Sequence, residues 1–89
     1  MMSDSTYRLI ISSPDGNIFD DDVYFLSLRG EQGDLAILKG HIPFTTPVKK
    51  GKVKIELKDS SEKYGDIESG TLIVSKERTI LLSTNFKFS

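Results

Sequence analysis

The chain has no cysteine and no tryptophan, a single histidine, three prolines and a formal net charge of only -1. Without cysteine there is no disulfide framework and no thiolate metal site, so stability has to come from the core alone, which suits a reducing compartment. A charge balance this even, with a pI near 5.7, gives no long-range field to gather phosphates. Counterion release is the main sequence-independent source of nucleic-acid affinity, so nucleic acid is not expected as a partner. Apolar runs such as Leu9-Ile10-Ile11 and Ile80-Leu81-Leu82 fall far short of the ~20 residues of a membrane-spanning helix. The opening Met1-Met2-Ser3-Asp4-Ser5-Thr6 lacks the basic and apolar regions of a signal peptide and reads as a polar leader to the first strand. A soluble or peripheral protein is expected.

Hydrophobic residues at 37% and charged residues at 28% of 89 positions are a globular balance and not that of a disordered segment. The length holds one domain, 1–89, with an ordered core expected over about 6–84. The clearest pattern is Lys52 to Lys58, where apolar and charged residues alternate strictly and place Val53, Ile55 and Leu57 on one face of a strand. Asp59-Ser60-Ser61 then reads as a turn and Lys63 to Glu68 as a return strand. Thr71–Ser75 and Thr79–Ser83 flank Lys76-Glu77-Arg78 as a second hairpin. Upstream, Tyr7–Ser12 and Val23–Leu28 are β-prone, separated by the turn residues Pro14-Asp15-Gly16-Asn17, with Ile18-Phe19 as a short strand between them; Leu35–Leu38 is a further short run. No window keeps helical spacing without an interrupting Gly, Pro or turn cluster. The expectation is an all-β antiparallel sandwich of two sheets.

Residues that could carry chemistry are few. His41 is the only imidazole, which excludes a histidine metal cluster and leaves no nucleophile-base-orienter spacing around it. Asp20-Asp21-Asp22 are adjacent, whereas calcium loops space their oxygen ligands at alternate positions around a glycine turn, so the triplet reads as a solvated turn and no metal is assigned. Lys49, Lys50, Lys52, Lys54 and Lys58 form a basic cluster without interleaved aromatics; the lysines at 52, 54 and 58 lie on the wet face of the alternating strand. The glycines at 30, 33 and 40 match no phosphate-cradling pattern, so no cofactor is expected. Gly40-His41-Ile42-Pro43-Phe44-Thr45-Thr46-Pro47 stands out as a loop with two prolines, a histidine and a large aromatic, suited to a rigid contact surface.

Gly30-Glu31-Gln32-Gly33-Asp34-Leu35-Ala36-Ile37-Leu38-Lys39-Gly40-His41-Ile42-Pro43 closely resembles the G-x-E-G-[ED]-[LF]-G-[IV]-x-x-G-H-x-P stretch of F-type ATP synthase epsilon subunits. Thr45 to Ile55 resembles the continuation of that family, Ser69 to Val74 its G-G-x-[LF]-x-V strand, and Leu9 to Ser13 with Ile18-Phe19 its opening strand and turn. Ala36, Ser69 and Gln32 depart from the usual glycine, glycine and glutamate.

The resemblance implies a sandwich of about ten strands and a non-catalytic rotor subunit of the central stalk that couples the gamma subunit to the c-subunit ring during ion-driven ATP synthesis. It implies that Glu31, Gln32, Gly33 and Asp34 face the ring, and that Ser13, His41, Pro43, Phe44 and Thr46 face gamma. A peripheral place on the cytoplasmic face of a bacterial-type plasma membrane follows, with no homo-oligomer expected. Family members continue into two helices that can inhibit hydrolysis; a chain stopping at Ser89 is expected to lack that arm. The alternatives are a small biotinyl- or lipoyl-like carrier, for which no lysine has the required hairpin-tip setting, and an oligonucleotide-binding β-domain.

Overall fold

The structure, a computed structural model, describes residues 5–89, so the first four residues of the expected leader lie outside it. Nine strands run in the order β1 (Tyr7–Ser13), β2 (Gly16–Gly30), β3 (Gly33–Ile37), β4 (Phe44–Val48), β5 (Gly51–Leu57), β6 (Glu62–Ile67), β7 (Gly70–Val74), β8 (Arg78–Leu82) and β9 (Lys87–Phe88). They form one hydrogen-bonded path, β4-β7-β8-β1-β2-β5-β6-β9, with β3 added on β2.

The path becomes a sandwich because β2 belongs to both layers. Its first half pairs with β1, from Gly16 against Ser13 to Val23 against Tyr7, and its second half pairs with β5 and β3. Fifteen extended residues would span about 50 Å, while the longest dimension of the molecule is 36 Å, so the strand has to bend. It does so where its register against β5 shifts between Val23 and Phe25, as expected of a bulge. One layer is therefore β4-β7-β8-β1 with the start of β2; the other is β3, the end of β2, β5, β6 and β9.

The inward faces alternate as a pleat requires. Leu9 and Ile11, Val53 and Ile55, Leu72 and Val74, and Leu81 are all buried, joined by Val23, Leu26, Leu28, Ile37, Val48, Ile67 and Phe86, with Leu57 and Phe44 packed against them. The turn at Asp59-Ser60-Ser61 is closed by Leu57 N–H donating to Ser61 O at 2.8 Å, with Ser60 at a φ of 73°. The β7–β8 hairpin is closed by Ser75 N–H donating to Arg78 O at 3.0 Å.

Several features differ from the sequence reading, each for a physical reason. β1 and β8 are neighbours in the first layer and pair in parallel; the relative direction of two strands so far apart in sequence leaves no trace in periodicity. Asp20, Asp21 and Asp22 lie inside β2 rather than in a turn; Arg8 supports them from β1, its Nε 2.6 Å from Asp20 and an Nη 3.8 Å from Asp22. Ile18-Phe19 is the beginning of that same strand. Residues 44–47, read as part of a loop, form with Val48 the edge strand β4, paired only with β7; Pro47 is tolerated because edge strands have one side without ladder bonds. The tail is structured as well: Phe86 is buried, Phe88 packs edge-on against it at 4.9 Å, and Ser89 N–H donates to Tyr64 O at 2.8 Å.

Candidate interaction surfaces

The acidic loop is a two-residue hairpin tip. Gly30 pairs with Gly33 across Glu31-Gln32, and Gly33 closes it at a φ of 125°, a conformation closed to side-chain-bearing residues without strain. Glu31, Gln32, Gly33 and Asp34 are all exposed, so the structure does bring the four expected ring-facing residues into one protrusion. Asp34 has a cation of its own: Arg29 Nε lies 3.7 Å from its carboxylate, both side chains well exposed. A pair so open to water is weak and readily exchanged for another partner.

The expected gamma-facing residues are not one cluster. His41 and Pro43 sit in the loop between β3 and β4, beside Tyr7 at the start of β1 and the β7–β8 turn. Ser13 ends β1, about 20 Å away by the rise of a strand, where its hydroxyl donates to Gly16 O at 3.2 Å. β4 runs between the two regions along the edge. Its alternation turns Phe44, Thr46 and Val48 inward and leaves Thr45 and Pro47 exposed. Phe44 is thus partly buried against the core, in tilted contact with the His41 ring at 5.0 Å, and Thr46 is half-buried. The residues this edge presents to a partner are Thr45 and Pro47.

A larger surface was not singled out from the sequence. Cross-strand register places Thr45, Ile73, Ile80 and Ile10 in one row, with Pro47, Thr71, Leu82 and Ser12 in the next. These residues alternate with the buried Leu72, Val74, Leu81, Leu9 and Ile11, so they occupy the outer face of the first layer. Leu82 is 41% exposed, and Ile10, Ile73 and Ile80 are screened only by one another and their neighbours. The signal was in the runs Leu9-Ile10-Ile11, Leu72-Ile73-Val74 and Ile80-Leu81-Leu82: a strand that is apolar at every position has no face reserved for water.

The opposite outer face is a chequerboard of charge. Lys52 pairs with Asp66 at 3.1 Å, Lys54 with Glu62 at 3.3 Å and Lys50 with Glu68 at 3.9 Å. Tyr64 donates to Glu62 at 2.7 Å, and that hydrogen bond, followed by the one from Lys54, holds the Glu62 carboxyl below its ordinary range. Three lysines of the cluster, Lys50, Lys52 and Lys54, are therefore matched by carboxylates on β6 or just beyond its end. Among the described residues, no three His, Asp or Glu side chains gather in a way that could hold a metal, and the buried polar residues are Thr79 and Ser83, the latter donating to Ser69 O at 2.8 Å.

Residues 6–88 match the family described as ATP synthase, delta/epsilon chain, β-sandwich domain. The ATP synthase epsilon chain of Bacillus velezensis is 37% identical over 78 residues, covering 88% of this chain and 58% of that relative. The sodium-ion-specific ATP synthase epsilon chain of Acetobacterium woodii is 40% identical over 78 residues, covering 88% and 59%. The chain thus spans somewhat over half the length of these relatives. Among solved structures, a chain of the Euglena gracilis mitochondrial ATP synthase superimposes with a TM-score of 0.86 at 16% identity, covering 93% of this chain and 53% of that one. One from the Tetrahymena thermophila mitochondrial ATP synthase central stalk and c-ring gives 0.73 at 16% identity, covering 91% and 65%. At such identity these two establish likeness of fold.

Proposed function

Because the chain belongs to the ATP synthase delta/epsilon-chain β-sandwich family, we propose that it is a non-catalytic epsilon-type component of the central stalk of a rotary ATP synthase, joining the gamma subunit to the c-subunit ring. Residues 1–89 act as one docking domain in this reading, peripheral to the cytoplasmic face of a bacterial-type plasma membrane through the complex.

The observation that carries the proposal is the contrast between the two outer faces. One is a lattice of exposed ion pairs, content in water. The other presents Ile10, Ile73, Ile80 and Leu82 as a contiguous apolar surface, which marks a protein interaction site. On this reading the apolar face with the exposed side of β4 meets gamma, and the acidic tip at Glu31 and Asp34 meets the polar loops of the ring. Carboxylates at that tip contribute orientation more than affinity.

Calorimetric titration of the chain into gamma from the same source tests the gamma contact. Saturable one-to-one binding is expected. Covering what stays exposed of two half-buried isoleucines contributes about half of 1.5–3 kcal/mol each, so the double variant Ile73→Thr and Ile80→Thr, which keeps β-branched residues at this cross-strand pair, should bind at least tenfold more weakly while keeping its melting temperature within a few degrees. Absence of binding by the folded wild-type chain would refute the stalk role. For the ring contact, Glu31→Lys with Asp34→Lys should lower ring binding in a reconstituted stalk, and an unchanged affinity would remove the tip from that interface.

A further inference from the structure

The end of the first layer that carries His41 holds a hollow of about 530 Å³, lined by the β3–β4 loop on one side and the β7–β8 turn on the other, with Tyr7 and Val74 beneath. The two most exposed large aliphatic side chains among the described residues both belong to its loop wall: Ile42 at 78% and Leu38 at 55%. They are not outward because the loop is loose. His41 N–H donates to Leu38 O at 3.3 Å, Gly40 takes a φ of 87°, the His41 ring lies on Phe44, and Pro43 fixes the exit into β4. An ordered loop that presents two aliphatic side chains to solvent has a use for them.

The facing wall is cationic. Lys76 and Arg78 stand on the β7–β8 turn, which is held by the Ser75 hydroxyl donating to Arg78 O at 2.7 Å. Among the described residues neither has a carboxylate within ion-pair distance, in contrast to Arg8, Arg29, Lys50, Lys52 and Lys54. Lys39 adds positive charge to the rim and, among the described residues, Glu77 is the one acid in the lining. A binder of matching chemistry brings an apolar side chain to lie between Leu38 and Ile42 and carboxylates to meet Lys76 and Arg78.

We infer that this hollow is the seat of an acidic protein segment with an apolar side chain at its tip, supplied by the gamma subunit; the assignment to gamma rests on the function proposed above. The seat lies at the end of the apolar face, so one partner can cover both. Charge pairing there steers the docking orientation and makes the contact sensitive to salt.

The test is titration of the full chain into gamma at low and at physiological ionic strength, using Ile42→Ser and the double variant Lys76→Glu with Arg78→Glu. All three positions are exposed, so melting temperatures should stay at the wild-type value. Ile42→Ser should weaken binding about tenfold at both ionic strengths, and the charge-reversed variant should weaken it tenfold or more at low salt with a smaller loss at high salt. Wild-type affinity in both variants would overturn this seat while the stalk role stands. A loss in Ile42→Ser with none on charge reversal would overturn its acidic occupant. No binding by the wild-type chain would overturn both readings together.

Discussion

Gly65 on β6 lies under the ring of Phe86, and adding a single methyl group there should be costly in a way that can be worked out in advance. A Cβ at position 65 would fall 2.5 Å from Phe86 Cζ, 3.0 Å from its Cε2 and 2.9 Å from the Lys87 carbonyl oxygen. The ring cannot simply turn aside, because it is 93% buried and packs edge-on against Phe88, which in turn meets Phe19 at 6.0 Å. The carbonyl belongs to β9, paired with β6 at Asp66 and Lys87, so relief means shifting the strand. Overpacking of this kind costs about 1–3 kcal/mol. Position 65 has no positive φ, so alanine also recovers about 0.4–1 kcal/mol by narrowing the unfolded ensemble. The net expectation for Gly65→Ala is a loss of about 1–2 kcal/mol, or a melting temperature lower by roughly 5–15 °C for a domain of this size. Gly51→Ala is the control: its nearest neighbour would be Arg29 Cβ at an ordinary 3.5 Å, so it should be neutral or slightly stabilising. Thermal unfolding followed by circular dichroism reads both. In a Phe86→Leu background the penalty at 65 should shrink by about 0.5 kcal/mol or more if ring and methyl group collide. Gly65→Ala melting at or above the wild-type temperature would refute the reasoning.

Tyr7 donates to Ile37 O at 2.7 Å, and its burial pushes the phenol well above the ordinary tyrosine range. Because the folded state favours the neutral phenol, this contribution is complete below the ordinary tyrosine pKa of about 10 and is lost as the pH rises from there towards the raised folded value. Stability should therefore fall above about pH 10, with the fall smaller in Tyr7→Phe, which itself should cost about 1 kcal/mol at neutral pH; parallel pH profiles in denaturant titrations would contradict this. Phe44→Asp should lower the melting temperature as well as any partner affinity, since the ring packs on the core, whereas Ile42→Ser should leave stability alone; equal thermal stability of the two variants would show that Phe44 is not part of the core.

Much of the fold could be read in advance because it is written locally. The strict alternation at Lys52–Lys58 fixes which face of β5 is buried, and Val53 and Ile55 are fully so. The hairpins follow from turn residues between β-prone runs, the first at 59–61 and the second read at 76–78 and found one residue earlier, between Val74 and Arg78. What escaped depends on distant partners. Pro43 and Pro47 argue for a loop until β7 is known to lie on one side of residues 44–48 and nothing in the sheet on the other. The inward turn of Phe44 is a matter of strand phase, which a five-residue run starting after a proline does not announce. β9 is two residues long, too short for any pattern, and is secured by Phe86 and by the Asn85 side-chain oxygen Oδ1, which accepts from the Glu68 and Ser69 N–H groups at 3.0 and 3.2 Å. The acidic tip was legible as a motif, and the structure adds that Asp34 already has Arg29 beside it.

The placement of Pro47 on β4, with Pro43 just before it, bears on how this molecule avoids its own kind. An apolar outer face bordered by an unpaired strand edge is the arrangement from which strand-by-strand polymerisation starts. Along an antiparallel edge, alternate residues turn their N–H groups outward. Pro47 has no N–H to turn either way, and its place in the ladder fits only if position 47 is one of the outward ones, which makes Thr45 the other within β4. Of these two positions Thr45 alone offers a donor, and Pro43, just before the strand, offers none to extend the series. An incoming copy would find one N–H donor beside the outward carbonyls where a growing fibril requires donors and acceptors in a regular series, and the isoleucine face is left to a partner that recognises side chains.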